Sequence, residues 1–449
     1  MALTQSLVIN DKKIDQFGYK VTFYKKTNKS ATQVGFTTYV RYFRLYESLM
    51  SKFMYIEGII TDGGGMVQRL GIQPGDVLEI ELYKDPSDSV EEKISKEFVI
   101  EQLGGQNRTD GQKTSRYSFR AVSAIGYEGI KNKIKKSFKG KAKDIVLEIA
   151  NTYLAAPPAM INTSNFTDTS GDIVYNAASL SPFETIENVC IQSVASDNPK
   201  DANFFFYETR DSLNFKSLKK IVSSANAFVY VLKVDKNRDD VSASNDYFRI
   251  QDITHHNSTD QRQKLKDGVL KNKTVSFNFI SRKVEETTFD LKKDYKDILV
   301  MGDYLLMDDE EIDNFVGDTS RTTDEEPNIF VRCSQECYDQ VVDNKIQSRP
   351  FAKAQRGLMN QTVVTIKIHG NPKLRPGDII ELKVPQASGH KKEERDFILS
   401  GKFLIGSAAH TVTDANNYVT VCDLFKDGYE RNITDYRKDI NSHLVRERA

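Results

Sequence analysis

Apolar and polar residues alternate in two short segments that lie far apart in the chain. In residues 77–83 and 379–384 every second side chain is apolar, which is the pattern of a strand with one buried face. A Pro-Gly-Asp tripeptide precedes each segment, formed by Pro74, Gly75 and Asp76 in the first copy and by Pro376, Gly377 and Asp378 in the second. We predict that both tripeptides are structural turns.

The chemistry of these turns follows from their first two residues. Proline presets φ for the first turn position, and glycine supplies the positive φ of the second. One such turn is common in unrelated β-proteins. Two copies that agree in turn, in strand register and in a following glutamate, Glu79 or Glu381, indicate an internal duplication.

The N-terminal part of the chain, residues 1–125, has the pattern of an antiparallel barrel or sandwich. Short alternating segments are separated by glycine-rich and polar turn signals, including residues 62–65 and 104–113. The predicted strands are residues 19–24, 55–60, 77–83, 97–103 and 117–122.

Residues 126–245 change to a helical period and predict a small α+β domain. Ile145, Ile149 and Tyr153 recur at helical spacing within residues 141–154. A second helix is predicted to begin at Ser181, because Pro182 and Glu184 complete a capping-box pattern. A strand over residues 204–209 and a short helix opening at residues 214–218 complete this domain.

Alternation returns in residues 246–287 and 361–426, which we interpret as one interrupted barrel. Its predicted strands are residues 247–253, 274–280, 364–368, 397–399, 403–409 and 418–425. Between them, residues 288–360 are polar and partly helical, with acidic residues clustered at 308–313. A helix predicted at 433–446 joins residues 427–449 to this inserted domain.

Composition limits the classes of function. Among 449 residues, 63 are Lys or Arg and 63 are Asp or Glu, so the balance is neutral and argues against a dedicated nucleic-acid-binding protein. No apolar stretch has the length of a transmembrane helix, and the N-terminus lacks a secretion signal pattern. The four cysteines lack paired zinc-ligand spacing, so we predict reduced thiols, no metal and no cofactor.

Two clusters were considered as chemical sites. His255 and His256 are adjacent on a predicted strand and point to opposite faces, so they cannot easily share a metal ion. The lysines of residues 131–143 form a basic run that suits either a solvated connector, a partner-binding face or phosphate contacts. No catalytic motif appears, and we predict that the protein is not an enzyme.

Several short sequence segments, taken in their order along the chain, resemble the baseplate hub proteins of contractile-tailed, T-even-like bacteriophages. The resemblance covers most of residues 120–430 and leaves the region around 305–345 unmatched. It is carried by the sequences at 137–146, 203–209, 214–218, 249–254, 374–382 and 400–405, with His410 after the last.

This resemblance implies a β-rich α+β fold with two tail-tube-like antiparallel β-barrels in one chain. It also implies a homotrimer at the centre of the baseplate, assembled in the host cytoplasm. Its expected partners are a trimeric spike or needle protein, tail-tube or tube-initiator proteins, the tape measure protein and baseplate wedge proteins. DNA would pass through the lumen without sequence-specific binding, and no stable membrane insertion is expected.

Duplication gives this expectation a physical reason. Three chains with two similar barrels each present six near-equivalent units, which suits a hexameric tube at one end and a trimeric spike at the other. The alternative is a tail-associated cell-wall hydrolase or glycan-binding module, which the abundant tyrosines and carboxylates leave open.

Overall fold

The structure is a computed structural model, and its described residues cover most of the two predicted barrels and the domain between them. The acidic cluster at 308–313 and most of the predicted helix at 433–446 lie outside them. The described residues are 17–26, 29–84, 93–105, 113–232, 248–256, 268–305, 328–333, 345–359, 362–386, 395–413 and 417–435.

Strands dominate the first and last parts of the described chain. The strands before residue 220 are β1 Gly18–Tyr24, β2 Val34–Gly35, β3 Val40–Ser48, β4 Tyr55–Asp62, β5 Val77–Tyr83, β6 Ile94–Leu103, β7 Ser115–Ser123, β8 Ile134–Gly140, β9 Ile173–Leu180, β10 Phe204–Glu208 and β11 Leu213–Ser217. The later strands are β12 Ala227–Val231, β13 Ile250–His256, β14 Lys271–Phe277, β15 Val284–Asp290, β16 Asn328–Cys333, β17 Thr362–His369, β18 Ile379–Lys383, β19 Gly401–Thr413 and β20 Asn417–Lys426.

Helices are fewer and lie mainly in the middle of the chain and in the inserted segment. They are α1 Lys29–Thr32, α2 Met66–Leu70, α3 Ala124–Lys131, α4 Ala142–Thr152, α5 Pro182–Gln192, α6 Leu218–Ser223, α7 Leu291–Ile298 and α8 Lys345–Met359. The predicted β-rich α+β class is therefore confirmed. None of the described helices is long and apolar enough to cross a membrane.

One sheet of 13 strands runs through both ends of the chain. Its linear order is β13-β17-β20-β19-β3-β4-β7-β6-β5-β1-β2, and β18 pairs with β19 and β12 beside this path. Neighbouring strands are antiparallel except for the parallel pair β12 and β18. The two predicted strand-rich regions thus share a single hydrogen-bonded sheet.

The sheet contains the same strand arrangement twice. In what we call repeat 1, the neighbours follow the order β5-β6-β7-β4-β3, and in repeat 2 they follow the order β18-β19-β20-β17-β13. In both repeats, the strand that follows the Pro-Gly-Asp turn, β5 or β18, pairs with the next strand of the repeat. The two strands of the repeat that precede the turn, β4 and β3 or β17 and β13, lie at the opposite end of the strand order. The pairing supports the internal duplication far more strongly than the turns alone.

Irregularities of the ladders also recur at matching places. A register shift between Ile100 and Gln102 in β6 matches one between Ile405 and Ser407 in β19. A second shift, after Val40 in β3, matches one after Ile250 in β13. Because a bulge adds one unpaired residue at a defined position, shared bulges align the two repeats residue by residue.

The two repeats are joined where β3 pairs with β19. Six residue pairs form this antiparallel ladder, from Ser407 opposite Ser48 to Val412 opposite Phe43. Each repeat also has its own hydrophobic core, one built around Phe43 and Phe98 and the other around Phe403 and Ile380. The junction therefore combines this backbone ladder with side-chain packing, because Val412 of β19 and Tyr418 of β20 lie in the core of repeat 1.

The middle of the chain packs as a third unit, which we call the middle domain. Helices α3, α4 and α5 and strands β8 to β11 share one core. The predicted capping box is confirmed, because the Ser181 side chain accepts from the Glu184 N–H and the Glu184 side chain accepts from the Ser181 N–H. The short helix predicted to open within residues 214–218 is present as α6, which begins at Leu218 after the N-cap Ser217, whereas the residues before it form strand β11.

A fourth unit, the inserted unit, contains β14, β15, β16, α7 and α8. Its three strands form a separate sheet, and its core includes Phe289 and Phe351. The strand predicted at 274–280 therefore lies in this sheet and not beside β13. The insertion point falls between β13 and β17, where repeat 1 has only the short turn between β3 and β4.

Candidate functional site at the repeat junction

The two Pro-Gly-Asp turns have nearly identical backbone geometry. Gly75 has φ of 97° and Gly377 has φ of 95°, as the sequence pattern requires. The Gly75 N–H donates to the Ile100 carbonyl at 2.7 Å, and the Gly377 N–H donates to the Ile405 carbonyl at 2.9 Å. Each turn is therefore attached at the bulge of the following strand.

The aspartates of the turns are structural acceptors. Asp76 Oδ2 accepts from the Gln73 N–H at 2.9 Å, and Asp378 Oδ2 accepts from the Arg375 N–H at 3.0 Å. Each carboxylate thus closes its own turn, and the main-chain carbonyl of the same aspartate accepts from the Ile100 or Ile405 N–H. These contacts explain why aspartate stands in both copies.

The surroundings of the two turns differ. Asp76 forms an ion pair with Lys25 at 2.9 Å, and an added Cβ at Gly75 would meet open space. Gly377 is buried, and a Cβ there would lie 3.2 Å from the Tyr207 hydroxyl of the middle domain and 3.3 Å from Ile221. The second turn is therefore part of an internal interface, while the first faces outward.

Burial makes the Asp378 carboxyl of the second turn a weaker acid. It raises the pKa of Asp378 to about 6, although N–H bonds from Arg375 and Asn226 to the carboxylate oppose this increase. The ionised form of Asp378 is consequently less favourable in the folded protein than in the unfolded chain.

A fully buried ionic cluster lies at the place where the two repeats and the middle domain meet. Arg210, in the turn between β10 and β11, lies 3.1 Å from Glu47 of β3 through its Nη2 atom. The same nitrogen donates to the Leu374 carbonyl at 2.6 Å, next to the second turn. Arg210 thereby contacts both repeats from the middle domain.

His410 of β19 completes this cluster. Its Nε2 lies 3.9 Å from the Glu47 carboxylate, and its Nδ1 shares a hydrogen bond of 2.8 Å with the Tyr418 hydroxyl. Burial, with Arg210 nearby, holds the pKa of His410 well below its usual value, so the ring is neutral at pH 7. Burial raises the pKa of Glu47, and the Arg210 charge partly offsets that rise.

A second buried ion pair fastens the middle domain to repeat 1. Lys96 of β6 lies 2.8 Å from Glu208 at the end of β10. The Glu208 carboxylate also accepts from the Met54 N–H at 3.0 Å and from the Ser123 hydroxyl. Both buried ion pairs thus attach the middle domain to repeat 1, and the Arg210 bond to the Leu374 carbonyl attaches it to repeat 2, which indicates a fixed arrangement of the three units.

The described residues contain no group of three or more His, Cys, Asp or Glu side chains arranged to hold a metal ion. His255 and His256 both lie exposed on β13, and Cys190 and Cys422 are buried. The basic run is partly strand β8, in which Lys136 pairs with Glu148, while Lys143 pairs with Asp168 at 2.7 Å. Nothing in these groups forms a catalytic arrangement.

Sequence reasoning missed the ionic cluster. Glu47 occupies a position that should be apolar in an alternating strand, and His410 does the same in β19. Ionisable residues at inward positions of two strands were the available signal. Their common partner, Arg210, lies in a loop of another unit, and no local pattern connects it to either strand.

The duplicated sheet and its attached middle domain form a fold that is similar to the folds of two tail proteins of known structure. The 43 kDa tail protein of prophage MuSo2 from Shewanella oneidensis is similar, with a TM-score of 0.53 and 10% identity, over 91% of this chain and 99% of that chain. The tail protein from Neisseria meningitidis MC58 is similar with a TM-score of 0.50 and 9% identity, over 91% and 97%. The β-rich α+β fold expected from the sequence resemblance is confirmed, while the strands predicted for two barrels lie in one continuous sheet.

No protein-family model matches the sequence, and neither does any curated protein. The likeness is therefore one of fold, visible in the arrangement of strands and not in residue identity.

We predict that the two turn glycines differ in their tolerance of alanine. Gly75→Ala should lower the free energy of unfolding by roughly 1 kcal/mol through the strain of positive φ alone. Gly377→Ala should cost about 3 kcal/mol, because the new methyl also crowds Tyr207 and Ile221. Gly35→Ala, which has ordinary φ and open space, is the control for chemical denaturation. A larger loss at Gly75 than at Gly377 would contradict the assigned interface.

The raised pKa of Asp378 predicts a pH dependence of stability. A carboxyl whose pKa is higher in the folded state binds protons preferentially there, so its contribution to stability grows as pH falls through about 6. The free energy of unfolding of the wild type, relative to Asp378→Asn, should rise by on the order of 1 kcal/mol between pH 8 and pH 5. A constant difference over this range would show that Asp378 is not buried as described.

The buried ion pair predicts a strongly non-additive double variant. Arg210→Met should cost about 3–5 kcal/mol of unfolding free energy, because it leaves Glu47 buried without a counter-charge. Combining it with Glu47→Leu should restore a large part of this loss, since no uncompensated charge then remains. Chemical denaturation of the two single variants and the double variant measures the coupling. Simple addition of the two losses would rule out a direct interaction.

Proposed function

We propose that the protein is the central structural hub of a phage tail baseplate. The observation that carries this proposal is the duplicated strand order within one continuous sheet, in a fold similar to that of the two tail proteins. A doubled subunit is what a symmetry adapter needs, because it can repeat similar contacts six times with three chains.

The proposed assembly is a homotrimer whose six repeats form a ring with approximate sixfold symmetry. One end of the ring would receive the hexameric tail tube or its initiator proteins, and the other would bind the trimeric spike. The tape measure protein would end in or near the central channel, and DNA would pass through it after the spike leaves. The protein would act within the virion tail, contacting wedge proteins at its outer surface.

Fixed geometry supports a structural role. Arg210 contacts Glu47 in repeat 1 and the Leu374 carbonyl near the second turn in repeat 2, and both contacts are buried. An adapter must hold its two repeats at a constant angle, since a ring closes only when every contact repeats. The middle domain supplies this constraint because it contacts both repeats.

A structural hub and a cell-wall hydrolase would differ in the properties of the purified protein. A hub requires a defined oligomer and no substrate turnover. A hydrolase requires turnover of peptidoglycan that is lost on changing a single carboxylate, and it does not depend on a trimer.

We expect the purified full-length chain to form a trimer. Light scattering coupled to size-exclusion chromatography should give three times the mass of one chain at micromolar concentration, and peptidoglycan incubated with the protein should remain intact. A monomer at the highest accessible concentration would contradict the hub, and turnover of peptidoglycan would favour the hydrolase.

A further inference from the structure

We propose that the chains of this oligomer are joined edge to edge, with β13 of one chain pairing antiparallel with the end of β6 in a second copy. The inference deepens the proposed function, because it identifies the surface through which one chain binds the next. It rests on the residue-by-residue match between the repeats and on two strand edges that the described chain leaves unpaired.

The first edge belongs to β13. This strand is the last in the order of the sheet and pairs only with β17 among the described residues, apart from one bridge between Arg249 and Val231 before its start. Most of its side chains are exposed, and its sequence contains no lysine or proline. Edge strands are normally protected by such residues against pairing with another chain, so β13 is an edge suited to pairing.

The second edge is the end of β6. Pairing between β5 and β6 covers Ile94 to Val99, and the turn contact at Ile100 follows. Beyond the bulge, residues 102–105 continue along β7, where the Gly104 N–H donates to the Ser118 carbonyl at 2.6 Å. Their other side has no partner strand within the described chain.

The equivalents of these two edges are already paired inside each chain. The shared bulges and ladders match β6 with β19 and β13 with β3, so that Gly105 corresponds to His410 and His255 corresponds to Leu45. In the chain itself, His410 stands opposite Leu45 in the ladder that joins the repeats. Repeating this contact between chains places His255 opposite Gly105.

The side chains at the proposed contact between β13 and β6 are compatible with pairing. In the internal ladder a histidine on β19 lies against a leucine on β3, whereas between chains a histidine on β13 would lie against a glycine on β6. An added Cβ at Gly105 would meet nothing within 4 Å, so there is room on that side of the strand. Contacts within a chain and contacts between chains would then alternate around the ring. Each would join β3, or its equivalent β13, to β19, or its equivalent β6.

The buried charges distinguish the two contacts. Arg210 and Glu47 lie beside the ladder between β3 and β19, close to His410. The proposed ladder between chains has no histidine at the equivalent position of β6, because Gly105 corresponds to His410. The internal contact is thus reinforced by side chains, while the external contact relies on the backbone ladder. This difference suits one permanent junction and one that forms during assembly.

Disulfide crosslinking tests the register directly. Gly105→Cys combined with His255→Cys places two thiols at positions that face each other across the proposed ladder, at a separation a disulfide can span. Under mild oxidation we expect crosslinked species on non-reducing gels that extend to the trimer and disappear with reductant. The native cysteines are retained in every variant, so the wild type reports their background.

The matched control shifts one cysteine by a single residue. Gly105→Cys combined with His256→Cys directs the second thiol to the opposite face of β13, so at least several-fold less crosslinking is expected. Equal crosslinking in both pairs would overturn the register. Hydrogen exchange of the wild type serves as an independent measurement, with amides within residues 253–256 and 102–105 protected in the oligomer and exchanging faster on dilution.

The outcomes separate this inference from the proposed hub. A trimer that neither crosslinks nor protects these amides would reject the edge contact and leave the hub proposal standing. Specific crosslinks in an assembly that is not a trimer would support the edge contact and reject the proposed ring. A chain that stays monomeric would reject both.

Discussion

The arrangement of this protein depends on the ladder between β3 and β19, reinforced by the buried pair of Arg210 and Glu47. Backbone pairing alone would join two repeats along one edge and leave the angle between them adjustable. The arginine comes from the middle domain and contacts both repeats, so movement of repeat 1 would separate two buried charges and movement of repeat 2 would break the buried bond to the Leu374 carbonyl. Breaking such a pair is costly, because the remaining charge stays buried.

The duplication explains why one chain can carry this arrangement and still differ between its halves. Strand order, turn geometry and both bulges are the same in the two repeats, so one chain presents the same arrangement of strands twice. The differences between the repeats lie in the surroundings of the turns and in one connection. The second turn is covered by Tyr207 and Ile221, and the short connection between β3 and β4 corresponds in repeat 2 to the inserted unit.

Local features were predictable from sequence, and contacts between units were not. The turns at Gly75 and Gly377 and the cap at Ser181 depend on a few adjacent residues, so their patterns could be recognised. Strand β3 was missed because its bulge interrupts the alternation and Glu47 occupies an inward position. Strand β14 was recognised as a strand, yet alternation does not specify which sheet a strand joins. The ionic cluster at Arg210 could be recognised only from the three-dimensional structure, because its residues come from three different units.

In the proposed hub, three doubled chains present six similar units around an open centre. Electron microscopy of the purified full-length protein, averaged without imposed symmetry and viewed along the ring axis, tests this claim most directly. The account predicts a hollow ring with six similar inner lobes and differences that repeat three times. A compact particle without a central opening, or a ring whose lobes do not number six, would contradict it.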